Sequence, residues 1–322
     1  MDFNEIIGHE KAIKVLKKSF ENKTISHSYL FEGEEGIGKK MVAYAFSKTL
    51  LCKEQGIEPC NKCNSCKKFN SGNHPDFFLI EPDKGLIRKS EVEDLIKEMS
   101  TAPFESTRKV FIIDDSHLMN IESKNAILKT LEEPPHYINI ILISSNPDSL
   151  LPTILSRVQS IKFYPLESKR IGEFLVNKYN KTQEQANFIA EFTKGAIGKS
   201  IKLATDEEFF RKRDEILKII DALIKGDKTK AFSSMDFFNE NKEIIEDILD
   251  MIIYWFRDLL IYKEIGESSL IINKDKLENL SSQSYMNFGK INDIIKRIED
   301  TKLNIKRNIN YQLAIETMLL NI

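Results

Sequence analysis

The feature that most constrains this chain is a rhythm that runs through its first half and then stops. Five short runs, Tyr29–Glu32, Phe77–Glu81, Val110–Asp114, Ile138–Ser144 and Ile161–Phe163, are apolar at nearly every position. A strand covered on one face alternates apolar and polar residues. A strand covered on both faces does not, so these runs read as a buried parallel sheet. Helical patterns fill the gaps. One is Lys39–Leu51, another is Ser90–Ser100, opened by Ser90 with Glu93 as a capping box, and a third is Glu122–Glu132, stopped by Pro134 and Pro135. Strand and helix in alternation predict a doubly wound α/β domain over residues 1–165.

Past Pro165 the strand pattern is absent. Residues 166–208 read as a small domain of short helices around Gly195 and Gly198, and residues 209–322 as an all-helical domain. Its helices carry apolar stripes: Ile216, Ile219, Ile220, Leu223 and Ile224 on one, and a wider set from Ile244 through Trp255 to Leu259 on another. The helix around Trp255 is a candidate for subunit packing, and the tryptophan equally suits a plain core.

Net charge decides against one class of function. At −2 over 322 residues, the chain does not hold nucleic acid by bulk charge. The basic clusters Arg211–Arg213 and Lys302–Arg307 leave open a zinc-dependent DNA-binding module, although acids interleave nearby. No apolar run is long enough for a membrane span, and the opening MDFNEIIGHE has no signal-peptide pattern, so a cytoplasmic location without membrane partners is expected.

Residues 33–40, Gly-Glu-Glu-Gly-Ile-Gly-Lys-Lys, fit the phosphate-loop pattern G-x-x-x-x-G-K-[ST] everywhere except the last place. Gly33, Gly36 and Gly38 let backbone N–H groups close around phosphate oxygens, and Lys39, opening a helix, would reach the terminal phosphates. Where a hydroxyl should bind magnesium stands Lys40, whose ammonium has no lone pair to offer and repels the ion. Asp114 and Asp115 end the strand of KVFIIDDSHLM, where open α/β sheets bind ligands. Asp114 is placed to hold Mg²⁺ through water, and Asp115 to polarise an attacking water. The plain alternatives are a Gly-rich turn and two solvent-facing carboxylates.

All four cysteines, Cys52, Cys60, Cys63 and Cys66, fall within 15 residues as C-x7-C-x2-C-x2-C. Overlapping CxxC steps present three thiolates from one tight loop, and Cys52 completes a tetrahedral S4 site, the pattern of structural zinc. Redox CxxC chemistry needs only two of them. His74 is a spare ligand or a turn residue.

Together SHSYLFEGEEGIGKK, the four-Cys insert, KVFIIDDSHLM, NAILKTLEEPP, ILISSNPDSLLPTILSRVQ and the C-terminal NYQLAIE resemble the AAA+ clamp-loader subunits of bacterial replicases, over nearly the whole chain. The resemblance implies a five-stranded AAA+ core with a zinc insert, a small helical lid and a helical collar. It implies a hetero-pentamer with motor subunits and a delta-like subunit, acting on a sliding clamp and primed DNA. In that family ATP and Mg²⁺ sit at subunit interfaces, and a Ser-Arg segment, here Ser156-Arg157, donates its arginine to the neighbour's nucleotide. Thr153 and Ser156 would orient that segment. Three departures weaken the chain's own site: Lys40, Asp115 in place of the usual Glu, and Gly198 near the place of a lid arginine, with Lys199 beside it. The expectation is a non-motor subunit of the DNA polymerase III holoenzyme without ATP turnover of its own. The alternative is a motor subunit of the same assembly.

Overall fold

A computed structural model describes residues 2–322. Two compact units divide the chain. One holds the described residues up to Glu167 together with Gly195–Lys199; the other holds Ser168–Lys194 and Ser200–Ile322.

The first unit is built in the order α1 (Glu10–Glu21), β1 (Ser28–Glu32), α2 (Lys39–Leu51), α3 (Asn64–Asn70), β2 (Phe77–Ile80), α4 (Lys89–Met99), β3 (Lys109–Ile113), α5 (Ile121–Glu132), β4 (Ile138–Ser144), α6 (Pro152–Leu155) and β5 (Gln159–Lys162). The strands lie in the order β2-β3-β4-β1-β5, and every pair is parallel. Leu30 sits opposite Leu142 and Phe31 opposite Ile143.

Successive residues of a strand point to opposite faces, so an apolar run feeds two cores. Tyr29, Phe31, Val110, Ile112, Ile141 and Ile143 join Leu16, Val42 and Phe46 on one face. Leu30, Phe111, Ile113, Ile140 and Leu142 join Val92, Ile127 and Leu131 on the other. This is the doubly covered sheet the continuous runs required. Edge strands show the converse: β5 buries only Ile161 of its four residues.

Helix starts depart from expectation at one place. The capping-box reading of Ser90 and Glu93 is displaced: α4 begins at Lys89, and the Arg88 N–H donates to Glu91 at 2.6 Å. A carboxylate at the third helical position reaching back to the cap N–H does the same work whatever the cap side chain. In α5 the cap is Asn120, whose side chain accepts from the Ser123 N–H at 2.8 Å.

The second unit contains α7 (Ser168–Tyr179), α8 (Gln183–Phe192), most of α9 (Ile197–Thr205), α10 (Phe209–Ile224), α11 (Thr229–Ser233), α12 (Met235–Glu240), α13 (Ile245–Ile265), α14 (Leu277–Gln283), α15 (Phe288–Lys306) and α16 (Tyr311–Leu320). No strand follows β5 among the described residues, and no helix among them is long and apolar enough to cross a membrane. Trp255 lies in the core of this unit, 2% exposed, and its indole N–H donates to Gln283 Oε1 at 2.9 Å. It is therefore core and not a subunit-packing surface. Trp255→Ala is expected to cost the second unit about 3–5 kcal/mol, from cavity formation and an orphaned amide, measured by urea unfolding followed by far-UV circular dichroism. A loss below 1 kcal/mol, on the order of a surface substitution, would contradict this packing.

Candidate functional site

The phosphate loop leaves the C-terminal end of β1. Gly33 cannot carry a side chain: its φ is +150° and a Cβ would lie 2.5 Å from the Phe163 carbonyl oxygen. The loop delivers the chain into α2, so Lys39 and Lys40 occupy its first turn. Lys39 is buried, and its ammonium donates to the carbonyls of Gly33 and Glu34, each at 2.6 Å. Burial lowers its pKa, against the attraction of Asp115 and Asp114. His9 reaches the loop from the chain's start, its Nε2 2.6 Å from the Ile37 carbonyl oxygen.

Residues 195–199 lie across the same loop. The Gly198 N–H donates to the Gly36 carbonyl at 2.6 Å, and a Cβ on Gly198 would stand 2.9 Å from that oxygen. A side chain at position 198 therefore has no room: the backbone of the loop fills its place.

Asp114 and Asp115 follow β3. The Asp114 N–H extends the ladder to the Ile80 carbonyl at 2.9 Å, which fixes its carboxylate at the sheet's edge. Asp115 adopts a left-handed conformation, φ 45°, and burial raises its carboxyl above the ordinary range, with Asp114 adding to the shift. Lys40 pairs with Asp114 at 2.9 Å and with Glu81. Burial disfavours the Lys40 ammonium, but hydrogen bonds to Glu81 and Asp114 outweigh it and hold its pKa above the usual lysine value. A magnesium ion needs near-octahedral oxygen ligands at roughly 2.0–2.1 Å. Here the Asp114 carboxylate is engaged by an ammonium and position 40 supplies no oxygen, so these residues do not fit that ion. Sequence reading missed Glu81. The signal was there, since it is the first polar residue after an apolar parallel run, the criterion that found Asp114.

Arg157 stands elsewhere. It precedes β5, and the Ser28 hydroxyl at the start of β1 donates to its carbonyl at 2.7 Å. Because β1 and β5 are parallel, Arg157 lies at the N-terminal edge of the sheet, whereas the phosphate loop leaves the C-terminal edge. The five residues of β1 put roughly 15 Å between the edges. The guanidinium donates to the Thr153 carbonyl at 2.9 Å and to Ser156 Oγ at 3.2 Å, and pairs with Glu132 at 2.8 Å. Glu132 belongs to the TLEEPP run, and no role was read for it.

The four cysteines converge: their Sγ atoms all lie within 4.8 Å of one another, in a group that could hold a metal ion. Cys52 caps the end of α2, Cys63 caps the start of α3, and Cys66 lies within α3. N–H groups of Cys60, Cys63 and Cys66 point at Cys52, Cys60 and Cys63 sulfurs at 3.3–3.4 Å. Such bonds from Lys62 and Cys63 bring the Cys60 thiol down to about 6, while burial pushes Cys52 and Cys66 up. His74 is outside the cluster. It is buried, accepts the Asp76 N–H at Nδ1 (3.1 Å), and faces Ser65 Oγ at Nε2 (2.8 Å).

Four of the six basic residues in the two basic clusters are engaged within the chain. Arg213 is buried against Asp275 and Asn273, Arg211 pairs with Glu208, Lys302 with Asp250 and Lys306 with Glu246.

A five-stranded parallel sheet with a phosphate loop after β1, acids after β3 and an arginine before β5 defines an AAA+ core. A family model described as "DNA polymerase III, delta subunit" matches residues 8–167, and one described as its C-terminal part matches residues 207–322. The chain is 32% identical to the DNA polymerase III subunit delta' of Bacillus subtilis, over 99% of this chain and 97% of that one. It is 31% identical to the tau subunit of the same organism, over 86% of this chain and 53% of tau. Among solved structures, a gamma subunit-related protein of Thermotoga maritima superposes with a TM-score of 0.49 at 19% identity, over 96% of this chain and 97% of that one. The chain belongs to the delta' family of DNA polymerase III clamp-loader subunits.

The Gly36–Gly198 contact makes a testable demand. In the first turn of a helix an alanine ordinarily gains about 0.5–1 kcal/mol over glycine. Gly198→Ala is expected to reverse that sign and destabilise by about 1–3 kcal/mol, because a backbone oxygen must move. Denaturant unfolding of the variant against the parent measures it.

Proposed function

We propose that this chain is a non-motor subunit of the clamp loader, which helps place the sliding clamp on primed DNA and gives Arg157 to the ATP of a neighbouring motor subunit. The observation that carries the reading is a division between the two edges of one sheet. At the C-terminal edge the phosphate loop is engaged by its own chain, through Lys39 on the Gly33 and Glu34 carbonyls and through Gly198 on Gly36. At the opposite edge Arg157 is oriented by Thr153, Ser156 and Glu132, too far away to serve a nucleotide on that loop. A planar, always charged guanidinium held this way suits stabilisation of a transferring phosphoryl group on another molecule. The hetero-pentamer with motor subunits and a delta-like subunit, the clamp and the DNA follow from the family and not from any surface described above. ATP and Mg²⁺ belong, on this reading, to the neighbour's interface.

In a reconstituted loader, Arg157→Ala should slow hydrolysis at the interface it serves by at least about tenfold, with nucleotide affinity changed much less. An unchanged rate would remove the trans role. ATP turnover by the isolated chain that Lys39→Ala abolishes would instead make this a motor subunit.

The thiol cluster fits structural zinc: four sulfur donors, no open position, and N–H groups aimed at the sulfurs. Bound zinc would tie the end of α2 to the loop and to α3. About one zinc per chain is expected by elemental analysis, and Cys63→Ser or chelation should release it and lower the melting temperature of the first unit by several degrees. A metal-free native chain of unchanged melting temperature would exclude the site.

A further inference from the structure

The position of Lys40 says more than that a metal ligand is missing. Its ammonium is directed at two carboxylates from separate strand ends, Asp114 after β3 at 2.9 Å and Glu81 after β2. The Asp114 side chain is only 15% exposed, so the pair is partly withdrawn from water. The ring of Tyr44, one turn along α2, packs on Phe69 and Phe77 beside it. Of the remaining charged groups, Lys39 is turned onto the loop carbonyls while still attracted by Asp115 and Asp114, and Asp115 lies 3.9 Å from His117 Nδ1. Lys40 is therefore the cation paired with both strand-end carboxylates, and position 40 itself supplies no oxygen ligand.

We propose that the Lys40 ammonium is a built-in cation, standing where a working phosphate loop places its divalent ion and excluding that ion from this site. The inference deepens the non-motor reading and accounts for it chemically. An ammonium has three donors and no lone pair. It can neutralise Asp114 and hold the ends of β2 and β3 to the start of α2, as a bound ion would. It cannot exchange, bridge phosphate oxygens or orient a water, so the structural share of the metal's work remains while its chemical share does not. Lys40 is a positioning residue in this sense, since it acts on Asp114 and Glu81 and not on a substrate.

The test uses the full chain, Mn²⁺ as the spin probe, and ADP. Free Mn²⁺ is read by electron paramagnetic resonance in titrations of the parent, Lys40→Thr, Lys40→Met and Asp114→Asn. The parent should take up no Mn²⁺ that Asp114→Asn removes. Lys40→Thr, which frees Asp114 and restores a hydroxyl, should bind Mn²⁺ in the presence of ADP at least about tenfold more tightly than the parent. Lys40→Met keeps the length and loses the charge. It should bind Mn²⁺ more weakly than Lys40→Thr but still more tightly than the parent, and it carries the test if the threonine variant does not fold. Parent Mn²⁺ binding that depends on Asp114 overturns the proposal, as does a folded Lys40 variant that binds no better than the parent. The two readings fail separately. Metal bound by a parent without turnover sinks the built-in cation alone. Parent turnover of ATP sinks the non-motor reading.

Discussion

The parallel direction of all five strands is the constraint on which the rest of this molecule depends. With every strand running the same way, whatever follows a strand gathers at one edge and whatever precedes a strand gathers at the other. Gly33–Lys40, Glu81 and Asp114–Asp115 share the first edge because each follows a strand. Arg157 occupies the second because it comes just before one. No loop flexibility short of unravelling β5 moves it across. Helix α2 adds the second constraint: it packs over β1, β4 and β3, so a residue in its first turn meets the acid at the end of β3 though β4 lies between their strands.

Much of this was written plainly in the sequence. The bounds of α2 and β4 are those read from the residues, because a phosphate-loop glycine and a run of seven buried residues leave little choice of register. The start of α4 was misplaced because Ser90 is a favoured cap residue and Arg88 is not, whereas the deciding hydrogen bond is donated by the Arg88 N–H to Glu91, which stands two residues before the Glu93 that a Ser90 cap would use. The convergence of the four cysteines was legible from spacing. The partners of the site were not: Glu81 is 41 residues from Lys40 in sequence and Glu132 is 25 from Arg157, and only the tertiary fold brings such carboxylates to their cations.

Closure of the loop illustrates why a substitution can be misread when taken singly. Gly198 looks like the loss of an arginine. In the structure it is the condition for a 2.6 Å hydrogen bond between two backbones, which no residue with a Cβ could form undisturbed. Lys39 is likewise retained yet turned inward, its donors spent on carbonyls of the loop it would otherwise serve. Lys40, Gly198 and the inward Lys39 are thus alike in one respect: each makes its contact at this edge inside the chain.

The cysteine module is attached to the same helix at its other end. Helix α2 runs 13 residues, roughly 20 Å, from Lys39 to Leu51, and Cys52 is its C-cap. The last carbonyls of a helix lack intrahelical partners. Here the Leu51 carbonyl accepts from the Ser65 hydroxyl at 2.6 Å, and Ser65 sits beside Cys66 in α3 and against His74. The buried Asp76 carboxylate then gathers the N–H groups of Phe104, Glu105 and Ser106 at 2.6–3.0 Å. The cluster therefore holds one end of a rod whose other end carries Lys39 and Lys40, the latter paired with Asp114 and Glu81. Since α2 spans the sheet face, holding one end in place helps set where the other delivers its ammonium groups. A metal bound about 20 Å from the phosphate loop, on the order of the helix length, would act on that loop through α2 and through the N-terminal segment, where Asn61 bonds Asp2, Asn4 bonds Glu58 and His9 meets the Ile37 carbonyl.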